Sequence, residues 1–110
     1  MSQMSVGTQP LYSTLAEDAD LREIVELFVE EMPDRVANLL DRFAVRDWSG
    51  LRRAAHQLKG AAGSYGFAPI TPAAGRLEDA IRDSRPEDEI RRAADSLVEL
   101  CRQARAGVLE

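Results

Sequence analysis

The stretch DWSGLRRAAHQLKGAAGSYG, residues 47–66, carries the pattern that decides the fold of this chain. Its apolar residues recur at the spacing of an amphipathic helix, Asp47 is a good N-cap, and Gly66 and Pro69 break the chain afterwards. The apolar side of this helix collects Leu51, Ala54, Ala55, Leu58, Ala61, Ala62 and Tyr65. The segment therefore predicts a helix from about Asp47 to Tyr65 with one buried face.

A longer helical pattern precedes this segment, from about Asp20 to Ala44. It contains Pro33, which costs roughly 3 kcal/mol in a regular helix interior. The apolar stripe nevertheless keeps its phase across Pro33, which favours one kinked helix; a break there is the alternative. The stripe consists of Leu21, Ile24, Val25, Phe28, Met32, Val36, Leu39 and Phe43.

Two more amphipathic helices follow, with short connections. Thr71 is expected to cap the third, with Pro72 at its first position, and Pro86 opens the fourth. Short connections place consecutive helices antiparallel. The sequence thus predicts an all-α, antiparallel up-down-up-down four-helix bundle over residues 15–110, after a short flexible N-terminal lead-in at residues 1–14. A short docking turn at Leu11–Leu15 is the alternative for the end of this lead-in.

Composition and charge exclude several classes of protein. The length of 110 residues fits one domain, and the net charge of -5 argues against nucleic acid as a general partner. Cys101 is the single cysteine, so an internal disulfide and a cysteine-cluster zinc site are excluded. No stretch is apolar enough to span a bilayer, and Met1–Pro10 lacks the plan of a signal peptide. We therefore expect a cytoplasmic protein that does not bind membranes.

His56 lies opposite the apolar face of the second predicted helix, so its imidazole should face solvent. Gly60 and Gly63 fall on the side of the histidine, although each costs roughly 0.5–1 kcal/mol in a helix relative to alanine. Glycines there leave a shallow track along which another protein could approach the imidazole. The alternative is that they are tolerated on an exposed face or allow close helix packing.

Cations surround the histidine. Lys59 lies one helical turn after His56, and Arg52 and Arg53 lie one turn before it. A neutral imidazole nitrogen can attack phosphorus without a dedicated base, and any of these cations could offset the charge of a phosphoryl group. For the two arginines, a merely solvated helix face is an equally good interpretation.

The stretch AHQLKGAAGSYG, residues 55–66, resembles the histidine-containing phosphotransfer (HPt) domain family. The family signature is a histidine followed by Leu, Lys and Gly at positions +2, +3 and +4, which are here Leu58, Lys59 and Gly60 after His56. The resemblance extends to the segment DWSGLRRAAH that precedes the histidine, and to nearly the whole chain from about residue 15 to 109. Ala61 stands where the family often has serine, so no hydroxyl role is carried over.

The pair Leu77–Glu78 also resembles the next helix of that family. The resemblance implies that His56 is phosphorylated on Nε2 and that Lys59 orients or neutralises the phosphoryl group. It also implies that Gly60 and Gly63 admit a receiver domain. We expect the partner-docking surface to comprise Gln57, Gly60, Gly63, Ser64, Phe67, Arg52 and Arg53.

The expected function is that of a phosphoryl carrier in a two-component phosphorelay, without an ATP site of its own. His56 would accept the group from a receiver-domain aspartate or a kinase and pass it to another receiver aspartate. The expected partners are response-regulator receiver domains and a sensor or hybrid histidine kinase. Magnesium would sit on the receiver, with no cofactor or metal on this chain. We expect a monomer, and a stand-alone protein rather than a kinase module.

Two other function classes stay open. In the first, the chain is a helical adaptor that binds a signalling partner through the same face without transferring phosphate. In the second, it is a bundle enzyme or a phosphoprotein phosphatase, which would need a carboxylate or amide beside His56. Gln57 points about 100° away from His56 on the helical wheel, and Ser64 lies on the side of Gln57.

Overall fold

The computed structural model describes residues 10–106 and contains four helices and two very short strands. The helices are α1 (Ala19–Ala44), α2 (Trp48–Ser64), α3 (Ile70–Arg82) and α4 (Glu87–Gln103). The strands β1 (Leu11–Tyr12) and β2 (Ala104–Arg105) pair in parallel. The prediction of an all-α four-helix bundle is confirmed.

Helix α1 runs through Pro33 without a break, as its continuous apolar stripe predicts. It starts at Asp18, whose side chain caps the first turn by accepting a hydrogen bond from the backbone N–H of Asp20. The buried residues of this helix are Val25, Phe28, Met32, Val36 and Leu39. Ile24 was wrongly assigned to the core: it precedes Val25 by 100° on the helix, and 43% of it is exposed.

Helix α2 agrees with its prediction. Asp47 is its N-cap and accepts a hydrogen bond from the backbone N–H of Gly50 at 2.9 Å, while Arg42 donates to the other carboxylate oxygen at 2.9 Å. These bonds hold the pKa of Asp47 below its ordinary value, chiefly through the Gly50 N–H. The buried residues of α2 are Leu51, Ala55, Leu58 and Ala62.

The start of α3 differs from the prediction. The helix begins at Ile70 with Pro69 as its N-cap and no side-chain capping bond, so Thr71 is a residue of the first turn. Backbone bonds from Phe67 to Ala62 and from Ile70 to Phe67 complete the preceding turn, which removes the need for a side-chain cap. The Thr71 hydroxyl instead donates to the carbonyl of Lys59 in α2, at 3.5 Å.

Residues 11–14 of the lead-in are held in place, which favours a docked segment there over a flexible one. Besides the pairing of β1 with β2, Ser13 is buried and its hydroxyl donates to the carbonyl of Tyr65. The Thr14 N–H donates to the carbonyl of Gly66 at 2.9 Å. These contacts satisfy backbone groups at the end of α2. Residues 1–9 lie outside the described residues.

Candidate functional site

His56 lies in the middle of α2, on the side opposite the buried residues of that helix. Its side chain is 66% exposed, so a partner can reach the imidazole from solvent. The helical period explains this position: positions 51, 55, 58 and 62 form the inner face, and position 56 is directed outward. The expected exposure of the histidine is therefore observed.

Glu78 of α3 joins the two residues that the sequence placed at the site. One carboxylate oxygen, Oε2, lies 2.8 Å from Nδ1 of His56, and the other, Oε1, accepts a hydrogen bond from Nζ of Lys59 at 2.7 Å. Only 13% of the Glu78 side chain is exposed. The hydrogen bond from Lys59, followed by that of His56, lowers the pKa of Glu78 below its ordinary value.

The charge state of Glu78 determines the proton position on His56. Because its pKa is lowered, the Glu78 carboxylate is ionised near neutral pH and can only accept hydrogen bonds. The imidazole must therefore donate from Nδ1, and in the neutral ring the other nitrogen, Nε2, keeps a free lone pair. This arrangement leaves Nε2 as a nucleophile.

Sequence reasoning missed the role of Glu78. Its only signal was the resemblance of the pair Leu77–Glu78 to the third helix of the HPt family, which does not say what the carboxylate contacts. The residue lies 22 positions after His56, on a different helix. Its placement depends on how α3 packs against α2, and Leu77, fully buried beside it, fixes that packing.

An open depression lies beside the imidazole. It has a volume of about 360 Å³ and is lined by Ser49, Arg52, Arg53, His56 and Glu78. Both arginines are exposed, and neither forms an ion pair or a hydrogen bond within residues 10–106. The structure thus brings the two arginines of the predicted docking surface to the histidine.

The two glycines on the outer side of α2 are not required by the packing of this chain. A Cβ atom on Gly60 would meet nothing within 4 Å, and one on Gly63 would touch only the Thr71 hydroxyl, at an ordinary 3.6 Å. Close helix packing therefore does not explain Gly60. Its smallness leaves the surface next to His56 open.

Gln57 and Ser64 are exposed on the same helix. Gln57 lines a polar groove between α1 and α2 together with Glu31, Arg35 and Asn38. One turn before Glu31, Leu27 of α1 is an exposed apolar residue, with 55% of it accessible. Gln57 therefore lies next to α1.

Phe67 was wrongly assigned to the docking surface. It is fully buried, and its ring stacks on that of Phe28 with the ring centroids 5.5 Å apart. The physical reason is that α2 ends at Ser64 and Gly66, at a φ of +83°, turns the chain inward. Phe67 contributes to the core and cannot contact a partner directly.

The sequence model of the Hpt domain matches residues 23–107. The chain belongs to the Hpt domain family. Hpt domains are phosphocarrier modules without an ATP site, which interact with receiver domains and histidine kinases in phosphorelays, and a histidine phosphotransfer role of this general kind applies here. No curated protein and no solved structure gives a significant match.

Within residues 10–106, no helix has the length and apolar character needed to cross a membrane.

Proposed function

We propose that His56 is the phosphoryl carrier of this Hpt domain, accepting the group from a receiver aspartate or a kinase and passing it to another receiver aspartate. The observation that carries the proposal is the geometry of the imidazole. The ring is exposed to partners, and the bond from Nδ1 to Glu78 leaves the Nε2 lone pair free to attack.

In this reaction Nε2 attacks the phosphorus of the aspartyl phosphate of a receiver. The Nε2–P bond forms as the P–O bond breaks, and the aspartate leaves as a carboxylate. The proton stays on Nδ1, so the phosphorylated ring becomes an imidazolium whose charge the Glu78 carboxylate stabilises. Transfer to a second receiver is the reverse reaction. The receiver supplies the magnesium ion and most of the catalysis.

We propose Glu78 as a positioning residue for this step. It fixes the tautomer and the orientation of the ring, much as a carboxylate does for a catalytic histidine in hydrolases. Lys59 holds the second carboxylate oxygen at 2.7 Å and favours its ionised form. The site therefore comprises three side chains from two helices.

The receiver would dock across α1 and α2, on Gln57, Gly60, Gly63 and Ser64, with Arg52 and Arg53 at one edge. The open space at Gly60 and the exposed Leu27 support a small, partly apolar interface that releases its partner. The proposal includes a cytoplasmic monomer that binds neither nucleic acid nor membranes; the net charge of -5 supports the part that concerns nucleic acid.

A phosphoprotein phosphatase is the second candidate, because Glu78 supplies the carboxylate beside His56 that such a reaction needs. One of its oxygens already accepts from Nδ1 of His56 and the other from Nζ of Lys59, and only 13% of the side chain is exposed, which restricts the approach of a water molecule. This engagement favours transfer over hydrolysis.

The test is incubation with a phosphorylated receiver domain, comparing the wild-type protein with His56→Gln. Label that appears on the wild type alone, and is lost in acid but stable in alkali, is the expected result. Steady release of inorganic phosphate without label on the protein would support the phosphatase instead. Receiver binding that survives in His56→Gln, with no label on the wild type, would support the adaptor.

A further inference from the structure

Lys59 is not free to meet a phosphoryl group on Nε2. Its Nζ lies 2.7 Å from Oε1 of Glu78, and the other oxygen of that carboxylate holds Nδ1 of His56. The N–H bond of Nδ1 and the lone pair of Nε2 diverge from the imidazole ring. A phosphoryl group on Nε2 therefore points away from the carboxylate and from the ammonium that it holds.

Arg52 and Arg53, by contrast, form no salt bridge and no hydrogen bond within residues 10–106, although the charge of Arg53 helps to lower the pKa of Asp47, and both arginines line the depression beside the imidazole. Side chains on a helix lean toward its N-terminus, so the ring of His56 leans over the turn that contains both arginines. Ser49 lies on the same face one turn earlier and also lines the depression. Guanidinium groups match the planar, multidentate hydrogen bonding of a phosphate better than an ammonium does.

We infer that Arg52 and Arg53, rather than Lys59, bind the phosphoryl group that His56 carries on Nε2, with the Ser49 hydroxyl as a further donor. The inference rests on the proposed function, because it requires that His56 be phosphorylated. It gives Lys59 a separate role: it keeps Glu78 ionised and in place behind the ring.

Phosphorylation by phosphoramidate tests this role without any docking protein. The P–N bond of phosphoramidate breaks as the Nε2–P bond forms. The protonated nitrogen of phosphoramidate leaves as ammonia, and the Nδ1 proton stays on the imidazole ring. The variants are Arg52→Ala with Arg53→Ala, the matching pair of lysine substitutions, and Lys59→Ala. A matched control removes two exposed arginines of α4, through Arg92→Ala with Arg102→Ala.

The double alanine variant should take the phosphoryl group about tenfold more slowly, the loss expected for charge-assisted hydrogen bonds to a solvent-exposed group. Phosphorus NMR should show that the phosphoryl group of this variant titrates at higher pH, since both cations favour the dianion. The lysine pair should restore part of the effect. Lys59→Ala should move the titration less than the double alanine variant, and the α4 control should match the wild type.

The outcomes separate this inference from the proposed function. If the wild-type protein takes no label on His56 from phosphoramidate and none from a phosphorylated receiver, the proposed function itself is wrong. Wild-type labelling, with an unchanged rate and titration in the double alanine variant, would overturn the inference alone. A defect seen only with the receiver protein would also overturn it, because the arginines would then be docking residues.

Discussion

The inner side of α2 packs Leu51, Ala55, Leu58 and Ala62, none of which is more than 1% exposed, whereas the outer side presents His56 between arginines and glycines. The inner residues contact the hydrophobic core. On the outer side, Gly60 has open space, and within residues 10–106 the polar contact of His56 is to Glu78. One helix can therefore keep the residues that stabilise the fold and the residues that carry the chemistry on separate faces, and substitutions on the two faces should change different measured quantities.

The largest expected effect is on the inner side. Leu58→Ala should lower the free energy of unfolding by about 2–5 kcal/mol, because it leaves a cavity in a site that is 1% exposed. Denaturant titration followed by circular dichroism measures the loss. Leu27→Ala, at a position that is 55% exposed, is the matched control and should change the free energy by less than about 0.5 kcal/mol. Equal losses in the two variants would contradict the assignment of faces.

The end of α2 should be the next most sensitive position. Gly66 has a φ of +83°, and an added Cβ would press against the Ser13 hydroxyl. Gly66→Ala should therefore cost about 1–3 kcal/mol of unfolding free energy. Thermal unfolding scans of Gly66→Ala and Gly63→Ala compare the strained glycine with one of ordinary backbone. A Gly66→Ala variant as stable as the wild type would show that the lead-in does not hold this turn.

On the outer side, Glu78→Ala should slow transfer from a phosphorylated receiver about tenfold, since the bond that fixes the tautomer of His56 is lost. Glu78→Gln keeps an acceptor oxygen and should lose less. The free energy of unfolding should fall by only about 1 kcal/mol in either variant, because His56 and Lys59 are partly exposed and can be hydrated when Glu78 is removed. Single-turnover transfer assays measure the rate, with Asp95→Ala on exposed α4 as the control. A transfer rate in Glu78→Ala equal to that of the wild-type protein would contradict the positioning role of Glu78.

Gly60→Ala should raise the free energy of unfolding by about 0.5–1 kcal/mol, because alanine is the better helix former and its Cβ meets nothing. Gly60→Gln should slow transfer from a receiver while leaving phosphorylation by phosphoramidate unchanged, since bulk there blocks only a docking protein. Ser96→Gln on α4 is the size-matched control. Unchanged receiver transfer in Gly60→Gln would show that the glycine track does not serve docking.

The smallest effect should be in the pH dependence of stability. The pKa of Glu78 is below its ordinary value of 4.5 in the folded protein, so its stabilisation is present above pH 4.5 and is lost as the pH falls through the folded value. The difference in unfolding free energy between the wild type and Glu78→Gln should therefore shrink on acidification. Urea titrations of both proteins from pH 7 downward measure it. A difference that stays constant would contradict the ion pair with Lys59.

Local pattern was sufficient for much of the fold. The apolar phase across Pro33 predicted a continuous α1, Asp47 was found as a side-chain cap, and the period of α2 put His56 outside the core. The predictions were wrong where contacts with a neighbouring segment determine the local structure. Thr71 has the sequence of a cap, but backbone bonds in the turn start α3 one residue earlier. Phe67 would lie on the outer side of α2 if that helix continued, but the chain turns at Gly66 and Phe67 is buried.

The helices, the exposed histidine and the family signature from His56 to Gly60 could be predicted from the sequence, because each depends on residues within a few turns of one helix. The contacts of Glu78 with both His56 and Lys59, and the pairing of Leu11–Tyr12 with Ala104–Arg105, became evident from the tertiary structure alone. These contacts join residues far apart in the chain. Their register is fixed by core packing between elements, which the period of a single helix does not encode.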